Sequence, residues 1–262
     1  MREFLVNAHE LRNIAHEIDT LFDQGKDEDG RNLLDYALLH TATTPAYHAY
    51  FKAEQAWYVT RSSKEQGRLL QEAANADQDD IFLMRCIGIW QLMNDKVWSS
   101  VRTFDKILAR HQDDADTLRC MGIAHSLLDR DRKAIRFYQS ALAINPADGD
   151  ALRQTGVSWS KLGEDQEALV WFRRALAINE QDYDAMRQMG ISLAMLNDLE
   201  GAQEWLRLAQ TINPHDYETR QNMALVMKKL RGDETWLERI SIRMMRWFNH
   251  RWGKLLDLAG LR

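Results

Sequence analysis

Along residues 81 to 216 the small and apolar positions return every 34 residues, and polar stretches separate them. Gly88, Gly122, Gly156 and Gly190 set the frame. Twelve residues after each stand Ser100, Ala134, Ala168 and Ala202; sixteen after stand Phe104, Tyr138, Phe172 and Leu206. Nineteen after stand Ile107, Ala141, Ala175 and Ala209, and twenty-four after stand Gln112, Pro146, Glu180 and Pro214. Spacings of three and four put residues on one face of a helix. Each repeat therefore predicts two helices: small residues let them approach, a large residue fills the gap, and proline or its substitute ends the second. In this scheme Gly156 and Ala175 face each other across the pair.

The frame continues more weakly outside this run. Residues 47 to 80 keep Trp57 and Ala73 but carry Glu54 in place of the glycine. Residues 11 to 46 keep Leu34, Ala37 and Pro45 with about two extra residues, and after 216 one residue is missing before a further first helix over 217 to 230. The period and its Gly, Ala, aromatic and Pro positions resemble the tetratricopeptide repeat (TPR), a helix–turn–helix unit. The resemblance implies an all-α fold, a right-handed superhelix of helix–turn–helix repeats (a TPR-like α-solenoid) closed by a C-terminal amphipathic helix. We expect degenerate TPR-like helices over 1–80, four full units over 81–216, and capping helices with a basic amphipathic segment over 217–262. This makes six units or partial units plus a C-terminal helix, in one continuous array.

The resemblance also implies that the first helix of each unit lines a concave groove. Three residues before each glycine stand Arg85, Arg119, Arg153 and Arg187; Arg220 is a fifth once the missing residue is allowed for. One residue after each glycine stand Ile89, Ile123, Val157 and Ile191, and three before three of the arginines stand Asp116, Asp150 and Asp184. Side by side, these lines form a ladder of arginines beside a ladder of aliphatics. Two readings stay open. The Asp and Arg pair within each helix, worth a few tenths of a kcal/mol, or the ladder reads an acidic peptide segment. In the carboxylate-clamp subset of the family an asparagine holds the place of Ile89, Ile123, Val157 and Ile191, so the chain departs from that subset. The expected role is a protein-binding scaffold or adaptor, with a chaperone-like holding function and a protein or peptide partner.

Composition narrows the chemistry. The 262 residues carry a net charge of −5, three prolines and no apolar run of membrane-spanning length, so a cytoplasmic protein is expected. The acidic total disfavours nucleic acid. Cys86 and Cys120 stand at equivalent places in adjacent units, both at apolar positions, and no disulfide is expected. The eight histidines are scattered without metal-ligand spacing, and no phosphate loop is present. The segment containing Asp23, Asp27, Glu28 and Asp29 lacks the ligand order of a calcium loop and reads as an acidic turn. No cofactor, metal site or catalytic residue is expected. Trp159, Trp171 and Trp205 read as packing between helices.

The last stretch differs. Residues 239 to 254 hold Arg239, Arg243, Arg246, Arg251 and Lys254 and no acid. On a helical projection Leu237, Ile240, Met244, Trp247, Phe248 and Leu255 take one side, and Arg239, Arg243, Arg246, His250 and Lys254 take the other. The expectation is a cap on the helix at 217–230, with Arg243, Arg246, Trp247, Phe248, Arg251 and Trp252 as a candidate second contact. The alternative is a peripheral membrane assembly factor tethered by this helix.

Overall fold

The computed structural model describes residues 7–232, which form thirteen α-helices. They divide into two compact units, 7–110 and 111–232. The first holds α1 (Ala8–Asp23), α2 (Asp27–His40), α3 (Pro45–Tyr58), α4 (Ser63–Ala76), α5 (Ile81–Met93) and α6 (Val97–Leu108). The second holds α7 (Ala115–Leu127), α8 (Asp131–Ile144), α9 (Gly149–Lys161), α10 (Asp165–Ile178), α11 (Tyr183–Met195), α12 (Leu199–Ile212) and α13 (Tyr217–Arg231). Helices pack as sequential pairs, giving six pairs followed by α13 among the described residues. The division falls between α6 and α7, inside the run 81–216 that the period treats as uniform. Among the described residues no helix is long and apolar enough to cross a membrane.

Two local devices repeat with the frame. An aspartate caps each first helix from α5 onward. Asp114 accepts from the Thr117 amide at 2.7 Å, and Asp148, Asp182 and Asp216 each accept from the third residue inward at 2.9 Å. Asp80 caps α5 through the Phe82 and Leu83 amides. Such a cap satisfies an otherwise orphan donor and contributes about 1 kcal/mol. The turn inside each pair needs one left-handed residue, and Arg61, Asp95, Asp129, Gly163 and Asn197, 34 apart in succession, all have positive φ. Asp, Asn and Gly tolerate that conformation better than most residues; Arg61 adopts it without that advantage.

Each frame glycine in the full units seats the large residue sixteen positions on. A Cβ built on Gly88, Gly122 or Gly156 would stand 2.3, 2.3 and 2.6 Å from the rings of Phe104, Tyr138 and Phe172. On Gly190 it would stand 2.7 Å from Leu206. All four large side chains are fully buried. The partner of Gly156 is thus the Phe172 ring rather than Ala175: the ring reaches into the slot left by the absent side chain, while Ala175 is buried elsewhere in the same core.

The first unit breaks this rule at Glu54. Its carboxyl is buried in α3, and burial, with the Asp19 charge adding to it, raises its pKa well above the ordinary carboxylate value. Burial also pushes Asp19 up to about 6, and Asp19 accepts a hydrogen bond from the Tyr58 hydroxyl at 2.9 Å. In the same unit Gly67 of α4 seats the Trp90 indole, whose Nε1 donates to the Ser63 carbonyl at 3.0 Å. Cys86 and Cys120 are free thiols.

Candidate protein-binding face

In the second unit the first helices run as neighbours: α7 touches α9, α9 touches α11 and α11 touches α13. Arg119, Arg153 and Arg187 stand at the same register on the first three. Each pairs with the aspartate three residues earlier on its own helix: Arg119 with Asp116 at 3.3 Å, Arg153 with Asp150 at 2.6 Å and Arg187 with Asp184 at 2.6 Å. Each also reaches the aspartate that caps the next first helix. Arg119 lies 3.1 Å from Asp148, Arg153 lies 3.2 Å from Asp182 and Arg187 lies 3.0 Å from Asp216. Arg187 adds Glu218 at 3.0 Å.

The capping aspartate therefore does two jobs. In Asp148 and Asp182, Oδ1 accepts the helix amide while Oδ2 faces the arginine of the preceding repeat. Asp216 uses Oδ2 for both, and the Thr219 hydroxyl donates to it as well. The arginine side chains become less exposed along the series, at 23%, 9% and 3%. Burial pulls the Arg187 guanidinium down, but Asp184, Glu218 and Asp216 more than offset this and its pKa is raised. Burial pushes the Asp150 and Asp216 carboxyls up, and the adjacent Arg153 and Arg187 outweigh that and hold both below their ordinary value.

The other expected positions fall as follows. Ile123 and Val157 are buried and Ile191 is half-buried. Arg85 and Ile89 are half-buried on α5, in the first unit. Arg220 is exposed on α13 and donates to the His215 carbonyl at 3.3 Å. The register thus brings Arg119, Arg153 and Arg187 into one chain of ion pairs. The partners Asp148, Asp182 and Asp216 are new. Their signal in the sequence is the 34-residue return of Asp80, Asp114, Asp148, Asp182 and Asp216. A further half-buried cation, Lys161, lies 3.1 Å from Asp131 and donates to the Ser126 carbonyl at 2.9 Å. The expected C-terminal cap and the second contact at Arg243, Arg246, Trp247, Phe248, Arg251 and Trp252 lie outside the described residues. Among the described residues no group of three or more His, Cys, Asp or Glu gathers as a metal site.

No protein-family model and no curated protein sequence matches the chain. Solved structures do. The chain is similar to TTC0263, a thermophilic TPR protein of Thermus thermophilus, with a TM-score of 0.60 and 16% identity over 70% of this chain and 98% of that one. It is similar to YrrB, described as a TPR protein with an unusual peptide-binding site, at a TM-score of 0.51 and 20% identity over 72% and 96%. MamA follows at 0.53 and 16% over 60% and 92%. At these identities the likeness is one of fold. With its helices packed in sequential pairs on a 34-residue frame, this chain has the fold of the tetratricopeptide-repeat proteins.

Proposed function

We propose that this chain is a non-enzymatic cytoplasmic scaffold that holds a protein or peptide segment on the face made by α7, α9, α11 and α13. The observation that carries the reading is the alignment of those helices in one register, with an aliphatic position (Ile123, Val157, Ile191) four residues past each arginine. Residues four apart share a helix face, and Arg119 and Ile191, the half-buried members of that line, are where a segment crossing the helices would make contact. YrrB, which shares the fold, is described as having a peptide-binding site, and a binding role on this face extends that likeness to the present chain.

The sign of the partner's charge follows from the ion pairs. The sequence suggests an acidic segment held by arginines. Yet each of Arg119, Arg153 and Arg187 already holds two or three carboxylates. The geometry therefore favours a segment carrying cations beside apolar side chains.

Selection from a random peptide library against the full chain tests the proposal. Selected peptides should be rich in Lys or Arg, and Ile191→Asp should weaken them at least about tenfold, equal to about 1.4 kcal/mol, while helicity by circular dichroism is unchanged. Peptides that bind the variant as tightly as the parent chain would overturn this choice of face.

A further inference from the structure

We propose that the first unit holds a binding site for a phosphate monoester in the hollow between α4, α5 and the start of α6. The site lies apart from the face on the second unit and does not rest on the binding role proposed above.

The sequence departs from the repeat at this junction. In the later units Val101, Ile135 and Leu169 put bulk on the second helix, and Ala124, Ser158 and Ser192 put a small residue on the first helix that follows. At the equivalent places α4 and α5 carry Gly67 and Trp90, so the sizes are exchanged. Asn94 stands where the later units have Leu128, Leu162 and Leu196. The indole fills the slot at Gly67 and is fixed there. Besides the bond from its Nε1 to the Ser63 carbonyl, Asn94 Nδ2 donates to the Trp90 carbonyl at 2.9 Å and the Ser63 hydroxyl donates to Asn94 Oδ1 at 2.9 Å. One wall of the hollow is therefore in place before any ligand arrives, as in most small-molecule sites.

The hollow measures about 550 Å³, inside the range of about 300–1,000 Å³ usual for such sites. Ile87, Trp90 and Gln91 of α5 line one side, at the spacing of a single helix face. Lys64 and Arg68 of α4 line the other, and Lys96 and Ser99 stand at the start of α6. The charged residues lining it are these three cations, with no acid.

Two of the three are available to a ligand. Arg68 is engaged by Glu65 at 2.7 Å and Glu72 at 3.1 Å, and both acids line the neighbouring hollow between α3 and α4. Lys64 and Lys96 make no ion pair among the described residues. The Lys96 ammonium lies 4.4 Å from the centre of the Trp90 ring. That contact holds the ammonium in position and leaves its charge without a counter-ion. Gln91 accepts from the Thr103 hydroxyl at 2.9 Å, which leaves its Nε2 to donate, and Ser99 supplies a hydroxyl.

This donor set selects phosphate over carboxylate. A phosphate monoester carries about −1.5 to −2 charges at pH 7 and three acceptor oxygens, which suits two ammonium groups and two neutral donors. Lysine serves phosphate as a point charge, whereas a planar carboxylate is best met by the arginine fork, and the arginine here is already paired. The organic part of the ester would rest on Ile87 and the indole.

Isothermal titration calorimetry of the full chain with phenyl phosphate tests the site. Phenyl phosphate should bind at least about tenfold more tightly than benzoate. Its affinity should rise as pH passes about 6, where the phosphate takes its second charge. Lys64→Gln with Lys96→Gln should weaken it about tenfold or more. Both lysines are exposed, so helicity by circular dichroism should be unchanged. Arg132→Gln with Arg136→Gln removes the same charge from the exposed side of α8 and should leave the affinity within about twofold. A phosphoserine peptide that binds more tightly than phenyl phosphate assigns the site to a phosphorylated protein, and the reverse order to a small ester; either supports the site. No binding of phenyl phosphate overturns it. Benzoate binding equally well overturns the choice of phosphate, and equal losses in the two double variants overturn the hollow, because the attraction is then diffuse.

Discussion

The ion pairs between successive repeats make a graded prediction. Arg119, Arg153 and Arg187 share one register and differ chiefly in exposure, at 23%, 9% and 3% of the side chain. Replacement by Met keeps most of the aliphatic volume and deletes the charge. Arg119→Met should cost about 1 kcal/mol, because its pair with Asp116 is open to solvent, where ion pairs are weak. Arg187→Met removes the cation shared by Asp184, Asp216 and Glu218, which are 7%, 13% and 19% exposed. Removing one partner from a buried pair costs about 3 to 5 kcal/mol. Arg153→Met should fall between the two. Asp182→Asn isolates the contact between repeats, since asparagine caps a helix about as well as aspartate but gives up the charge facing Arg153. Urea denaturation at pH 7 followed by circular dichroism measures all four, and the Arg153/Asp182 double variant closes the cycle. A coupling of about 0.5–3 kcal/mol is expected. Equal costs for the three arginines, Arg119 as the costliest, or no coupling between Arg153 and Asp182 would show that the pairs do not join the repeats.

Two further outcomes follow from the core. Gly156→Ala forces a methyl to 2.6 Å from Phe172 and should destabilise by about 1–3 kcal/mol, whereas Gly149→Ala, whose nearest neighbour is Ile178 at 3.9 Å, should be neutral or stabilising by thermal melting. Glu54→Gln should raise the melting temperature at neutral pH. The folded-state pKa values of Glu54 and Asp19 are raised, so stability is full below the ordinary carboxylate range and is lost as pH rises through the folded values. For Asp19 the loss runs from about pH 4 to about 6. The advantage of the variant should therefore grow with pH, and a constant advantage would place the cause in packing rather than charge.

The helix pairs were legible because a single residue type marks each contact. A frame glycine sixteen residues before an aromatic or leucine can be read at a glance, and the structure fills each slot with that residue. The left-handed turn was not legible, although it is equally periodic. Arg61, Asp95, Asp129, Gly163 and Asn197 share a backbone conformation rather than a chemical type. The break at Glu54 was visible, but its consequence was not. Only packing puts that carboxyl near Asp19, thirty-five residues away in sequence.

The arginine ladder was half legible for a related reason. Pairs three residues apart on one helix can be read directly, and Asp116, Asp150 and Asp184 are where that spacing puts them. The second partners stand 29 residues on, in the turn before the next first helix. Periodicity shows that such aspartates recur but not that they meet the arginines. That missing contact changes the meaning of the ladder. For Arg153 or Arg187 to turn toward an acidic ligand it must leave a half-buried aspartate that also caps a helix. The ligand's carboxylate would replace an equivalent one already in place, so the exchange gains little and the abandoned aspartate loses its cation. A basic ligand requires no such exchange, because it adds a cation to carboxylates already fixed by the caps. On the binding role proposed above, the chemistry that starts each helix and joins it to the repeat before would also set the charge of the face, and its partner would carry the opposite sign.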